Sequence, residues 1–191
     1  RGISKADLWK FGIGTCKTGR FRRRMIIPSF DADGELNYYV ARKIDDETSS
    51  MKYLNAKVPK KNVIFNELRI NWKETLTIVE GPLDLIKCDD NATCLLGSEI
   101  REGYEIFNLI VKNQTPIILA LDPDAIEKTH KFARSLASYG IDVKILDVGN
   151  FEDVGAMKKT EFLEAKKRAK RWTQESQLFH MISKIKSGSI V

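Results

Sequence analysis

Six carboxylates occupy positions from which chemistry can be done. Glu80 closes the apolar run TLTIV, Asp84 lies four residues further on, Asp122 and Asp124 end PIILALD and its turn, and Glu152 and Asp153 follow IDVKILDV. Carboxylates brought within a few ångströms repel and raise one another's pKa, so an uncompensated group of this kind opposes folding. A divalent cation removes the conflict. Oxygen donors suit Mg²⁺ or Mn²⁺, and Mg²⁺ commonly takes one or two protein carboxylates, several waters and the phosphates of a substrate. Zinc is disfavoured, because the chain has only His130 and His180, and Cys16, Cys88 and Cys94 include no C-x-x-C pair. Each acid also has a plainer reading. Glu80 can be a charged residue at a Gly-Pro turn, D-x-D after a strand is common, and Asp153 serves equally well as a cap for the helix that begins near it. The conjunction of E-G-P-x-D after one strand with D-x-D after another, one intervening strand later, is what points to a shared cation.

The elements that must position these acids alternate. TLTIV (75–79) reads as a buried strand, and Pro82 sits where the first turn of a helix over LDLIKCDD tolerates it. TCLLG (93–97) is a second strand, followed by Ser98 as the expected N-cap of a helix over EIREGYEIFNLIVKN. PIILALD (116–122) is apolar throughout, as a strand buried on both faces should be. AIEKTHKFARSLASYG has helical spacing and ends at Gly140, and IDVKILDV (141–148) is a fourth strand. The pattern predicts an α/β fold with a mostly parallel sheet and helices on both faces. Right-handed crossovers bring the carboxyl ends of such strands to one edge, where function usually sits.

Charge divides the chain in three. Residues 1–73 carry 16 Lys/Arg against 8 Asp/Glu, residues 74–157 carry 7 against 15, and residues 158–191 carry 9 against 3. The expected organisation is a basic α+β lobe (1–73), an acidic α/β domain (74–157) and a helical tail (158–191). In the first lobe, Arg20, Arg22, Arg23 and Arg24 precede MIIP, and DADG (31–34) is a hairpin turn signal. If this run is a strand, Arg20, Arg22 and Arg24 share one face, and phosphates are the natural partner of three guanidiniums. Lys52, Tyr53 and Asn55 form a second polar cluster. In the tail, Phe162, Leu163, Ala169, Leu178, Phe179, Ile182 and Ile185 predict apolar helix stripes packed on the core, while the basic run at 166–171 reads as a solvated helix face. Trp9, Trp72 and Trp172 are expected in the core, and His130 and His180 carry no assigned chemistry. No apolar run approaches the roughly 18 to 20 residues of a membrane span, the N-terminus RGISKADLWK has no signal-peptide core, and the unpaired cysteines suit a reducing cytoplasm. The start at Arg1 suggests an excised fragment, and no Ser-His-Asp or Cys-His arrangement suggests a side-chain nucleophile.

LTIVEGPLDLI resembles the glutamate motif of the TOPRIM fold, the metal-binding catalytic domain of primases, topoisomerases and some nucleases, and ILALDPDA resembles its D-x-D motif. GNFEDVGAM falls where bacterial primases carry a further acidic motif, commonly D-x-D, with Asp153 at the first position and Gly155 departing from the second. Ala125 and Ile126 also depart from the basic and small residues usual after D-x-D in primases. GRFRRRMIIPSFDADGELNYYVARKID and MKYLNAKVPKKNVIFN resemble the N-terminal lobe of the RNA polymerase core of DnaG-type primases, and the likeness covers roughly residues 1–155. The resemblance implies synthesis of RNA primers on single-stranded DNA from ribonucleoside triphosphates, with two or more Mg²⁺ or Mn²⁺ ions, in a phage or mobile-element relative. A replicative helicase and a single-strand binding protein would be further partners. It implies Glu80 in nucleotide activation, Asp122 and Asp124 as metal ligands, and Asp84 and Asp153 as lesser ones. Arg24, Arg42, Lys52, Tyr53 and Lys61 would line the template and nucleotide path. A TOPRIM nuclease or topoisomerase relative and a non-catalytic binding module are the alternatives.

Overall fold

The computed structural model describes residues 2–45, 51–97 and 99–186, apart from the side chains of Ser183, Lys184 and Lys186. Helix α1 (Lys5–Lys10) opens the chain with a capping box: Asp7 N–H donates to the Ser4 hydroxyl and the Asp7 carboxylate accepts from Ser4 N–H. Strands β1 (Gly14–Thr15), β2 (Arg24–Phe30) and β3 (Leu36–Lys43) form an antiparallel sheet in that order. The expected DADG turn joins β2 to β3. Asp31 Oδ1 accepts from the N–H groups of Asp33 and Glu35, and Gly34 takes φ +85°, which glycine adopts without steric cost. From Met51 the chain runs back along β3, with N–H groups of Lys43 and Leu54 donating to Lys52 and Ala41 carbonyls.

Strand β4 (Leu76–Val79) starts the second sheet, followed by helix α2 (Pro82–Leu85), strand β5 (Ala92–Cys94), helix α3 (Glu105–Asn113), strand β6 (Ile117–Ala120), helix α4 (Ile126–Ala137), strand β7 (Val143–Ile145), helix α5 (Lys159–Lys167), strand β8 (Lys170–Arg171) and helix α6 (Gln174–Lys186). The order is β5-β4-β6-β7-β8, parallel from β5 to β7, with β8 antiparallel at the edge. Every residue of β4 and β6 is buried. Their side chains alternate between two apolar layers. Val79, Ile118 and Ala120 face a layer that includes Leu85 of α2, Ile27, Tyr38 and Val40 of the hairpin, and Phe162 and Ala165 of α5. Ile78, Ile117 and Leu119 face α3 and α4 through Phe107, Ile110, Phe132 and Leu136. Helices therefore cover both faces, as expected, and the basic lobe shares one of those faces. The first layer contains residues from all three charge segments, so segments that differ in charge share one core.

Several expectations are corrected. Helix α3 begins at Glu105, not after Ser98: Gly103 at φ +83° interrupts any helix there, and Ser98 itself lies outside the described residues. The tail is not continuously helical across its basic run, because Lys170 and Arg171 pair with β7 as an edge strand. Helix α6 turns Leu178, Phe179, Met181, Ile182 and Ile185 to solvent and sets His180 against His130 of α4, with ring centroids 5.2 Å apart. Trp9 is 86% exposed, while Trp72 and Trp172 are half-buried against the second apolar layer. The three cysteines are free, Cys88 and Cys94 buried.

Candidate active site

The register Val79↔Ala120 places Glu80 level with Leu121, and Asp122 one residue beyond. The strand that separates the two acidic motifs in sequence, β5, pairs with the far side of β4, so β4 and β6 are direct neighbours and their acids share one edge. Gly81 caps α2, and its N–H donates to Asp84 Oδ2 at 2.9 Å. Asp84 Oδ1 accepts from Gly155 N–H at 3.0 Å. The buried Asp84 carboxylate thus braces the turn after β4 to the loop after β7. A Cβ on Gly81 would lie 3.3 Å from Asp84 Oδ2, and glycine permits this close approach. Gly155, which departs from the primase pattern, contributes its backbone N–H to the brace. Asp153 does cap the turn that follows it, accepting from Ala156 N–H at 2.6 Å, and it also lines the cleft.

That cleft, of about 200 Å³, lies between the two sheets. Glu80, Asp84, Asp122 and Asp153 line one side; Arg42 and Tyr53 come from β3 and the returning segment, with Ile27 and Val40 as apolar wall. Burial pushes the Asp122 carboxyl up to about 7, reinforced by the charges of Asp84, Glu80, Asp153 and Asp124. Glu80 Oε1 lies 3.4 Å from Lys128 Nζ on α4, and Glu80 Oε2 is shielded from solvent with no hydrogen-bond partner. Lys128 was not anticipated from sequence. Its only signal is a cation four residues after Asp124, at helical spacing in the first turn of α4. Asp124 is exposed at the turn Pro123–Ala125, outside the cleft lining, as is Glu152 after β7.

The donors fit a hard divalent cation as an open edge. Among the described residues no three acidic, histidine or cysteine side chains form a ready cage. The unpartnered Glu80 oxygen and the raised Asp122 carboxyl are compatible with such a cation, and one or two carboxylates per ion is the usual protein share for Mg²⁺.

The basic residues divide. Arg42 places its guanidinium 5.8 Å from the centre of the Tyr53 ring, and Lys52 Nζ stands at the same distance. Tyr53 is 42% exposed; Arg20, Arg22 and Lys61 are exposed as well, and Asn55 is half-buried beside the Tyr38 hydroxyl. The expected shared strand face of Arg20, Arg22 and Arg24 is not formed. Arg23 turns the chain at φ +57°, so β2 starts only at Arg24. Arg24 is 4% exposed, and its guanidinium donates to carbonyls of Ala41, Met51 and Lys52, the last two on the returning segment.

No family model matches the chain. A DNA primase from Clostridium acetobutylicum is 29% identical over 170 residues, which is 80% of this chain but 28% of that protein's length. The solved structure of the Aquifex aeolicus primase zinc-binding and RNA polymerase domains superposes with a TM-score of 0.74 at 18% identity, covering 90% of this chain and 54% of that one. A DnaG primase catalytic domain bound to ssDNA superposes at 0.64 and 20% identity, covering 86% and 62%. The chain has the fold of DnaG-type primase catalytic cores, as the sequence resemblance implied, and spans little more than half of the first of these structures.

Proposed function

We propose that this chain is the catalytic core of a DNA primase, joining ribonucleotides into a short RNA primer on a single-stranded DNA template. The observation that carries the reading is a single cleft in which Arg42 and Tyr53 of the basic lobe face Glu80, Asp84, Asp122 and Asp153 of the sheet edge. A phosphoryl transfer needs negative charge neutralised and two reactants aligned, and it needs no side-chain nucleophile. Glu80, Asp122 and Asp153 would hold Mg²⁺ or Mn²⁺, two or more ions in all, with Asp124 reaching in from the exposed turn. When bound, the metal supplies positive charge to the triphosphate and lowers the pKa of an attacking hydroxyl. Asp84 keeps Glu80 and Asp153 in register through its two backbone hydrogen bonds. Arg42 offers a planar fork matched to a phosphate, steadied against Tyr53. Arg20, Arg22, Lys52 and Lys61 provide exposed positive charge for the template backbone, and Asn55 a polar group beside it. Arg24 stays out of this set, since its guanidinium holds the returning segment that carries Tyr53. The primase likeness supports single-stranded DNA as template; ribonucleoside triphosphates, a replicative helicase and a single-strand binding protein follow from that likeness alone.

The test is incubation with single-stranded DNA, labelled ribonucleotides and Mn²⁺ or Mg²⁺. Labelled oligonucleotides that vanish in Asp122→Ala are expected. Shortened DNA would instead identify a nuclease, and DNA binding without either product a non-catalytic module.

A further inference from the structure

Beyond the acidic edge, a second cavity of about 410 Å³ opens between α4, the ends of β6 and β7, β8 and α6. Asp122 and Pro123 form part of its wall, so it adjoins the candidate active site across the D-x-D turn. Its volume falls in the range of small-molecule sites, roughly 300 to 1,000 Å³. Its walls are largely apolar, with Leu121, Ile126, Ile145 and Leu146 among them. Three aromatic rings also line it. Trp172 Nε1 donates to His130 Nδ1 at 3.1 Å, His130 is buried, and His180 lies against it. His180 Nε2 is shielded from solvent and has no hydrogen-bond partner, a cost that a ligand hydrogen bond would remove. Arg168 and Lys170 are exposed on the rim and, among the described residues, form no direct ion pair, although the Glu164 carboxylate feels the Arg168 charge, whereas the neighbouring Arg171 is paired with Asp142.

We propose that this cavity is a binding site for a nucleoside phosphate, adjoining the acidic cleft across Asp122 but with its base slot and cationic rim outside it. The flat base would occupy the slot walled by Trp172, His130 and the aliphatic side chains, with His180 Nε2 hydrogen-bonding to its edge. The phosphate would lie at Arg168 and Lys170. Asp122 and Asp147, the two carboxylates of the wall, repel phosphate and so fix the direction in which the ligand enters. The chemistry suits a free mononucleotide or the terminal nucleotide of a strand equally. The inference goes beyond primer synthesis and stands or falls separately from it.

The experiment is calorimetric titration of the full chain in EDTA, where no divalent cation can bridge phosphate to the acidic edge. GDP and ADP serve as one arm and a short DNA oligonucleotide as the other, with Glu80→Gln and the double variant Arg168→Glu, Lys170→Glu as comparisons. Both substituted cations are exposed, and unchanged circular dichroism will verify folding. Saturable one-to-one binding is expected, retained in Glu80→Gln and weakened at least about tenfold in the double variant, since reversing rim charges places like charges against phosphate. Binding by the mononucleotides assigns a free nucleotide, and binding by the oligonucleotide alone assigns a strand end. No binding in either arm, binding unchanged in the double variant, or binding lost in Glu80→Gln would overturn the proposal. Primer synthesis in the assay above is unaffected by any of these results.

Discussion

Asp122 ends a strand buried on both faces, and four other carboxylates act on it there, so its proton is held to about pH 7. The folded pKa lies above the unfolded value of 3.8, so the folded state binds the proton more tightly. Without a cation, stability therefore declines as pH rises from about 4 to about 7. Asp122→Asn removes that dependence. At pH 8 without divalent cation the variant should be more stable than wild type by on the order of 1 to 2 kcal/mol, after discounting for partial exposure and screening. Mn²⁺ should raise the melting temperature of wild type far more than that of the variant. Equal stability at pH 8, measured by denaturant titration, would refute this account of the edge. Lys128 partly neutralises Glu80 at 3.4 Å, so Lys128→Met should tighten Mn²⁺ binding about two- to fivefold, the range expected of a half-exposed ion pair. Mn²⁺ electron paramagnetic resonance would measure it. Glu80 and Asp122 were legible in the sequence because each interrupts an apolar run at a strand end. Lys128 and the burial of Arg24 were not, because each depends on a segment distant in sequence: β4 for the lysine, the chain returning along β3 for the arginine.

The four strand runs and their mostly parallel sense were legible from β-branched and apolar stretches, since a strand covered on both sides leaves no room for polar residues; the placing of β4 between β5 and β6 was not. Nor were the lengths of the connecting elements. Helix α2 has four residues where a longer helix was expected, and its place is fixed by Asp84, which accepts from Gly81 and Gly155 N–H groups on two different loops. Asp84→Ala would leave both donors without this partner next to a buried cavity. The expected loss is about 2 to 4 kcal/mol in urea or guanidinium unfolding, with Asp84→Asn recovering part of it by keeping one acceptor. A loss within 0.5 kcal/mol would mean that the two loops hold together without the carboxylate. The edge strand β8 and the outward apolar side of α6 escaped the reading for a related reason: a basic run and an amphipathic pattern fit a helix, and only the pairing of Lys170 and Arg171 with β7 decides otherwise.

Charge segregation along the chain becomes cross-lobe contact in the folded molecule. Lys10 of the basic lobe meets Asp90 of the acidic segment at 2.5 Å, Lys166 of the tail meets Asp89, and Lys159 of the tail meets Asp7 in α1. The last pair carries the most consequence, because the Asp7 side chain is almost wholly buried. Burial pushes its carboxyl up, but the Lys159 ammonium and hydrogen bonds from Ser4 outweigh burial and hold it at about 2. This folded value lies below the unfolded 3.8, so the stabilisation is complete above about pH 4 and disappears as pH falls through about 2. The shift corresponds to about 2 kcal/mol. In Asp7→Asn the cap can persist while the charge cannot, so wild type should exceed the variant by about that amount at pH 6 and converge with it near pH 2. Urea unfolding across that range measures the whole contribution of the ionised carboxylate, to which Lys159 and the Ser4 hydrogen bonds both add, and the lysine variant isolates the ion pair. Lys159→Met should show the same acid-dependent loss from the other side of the interface, which ties the tail to α1 through this one buried charge.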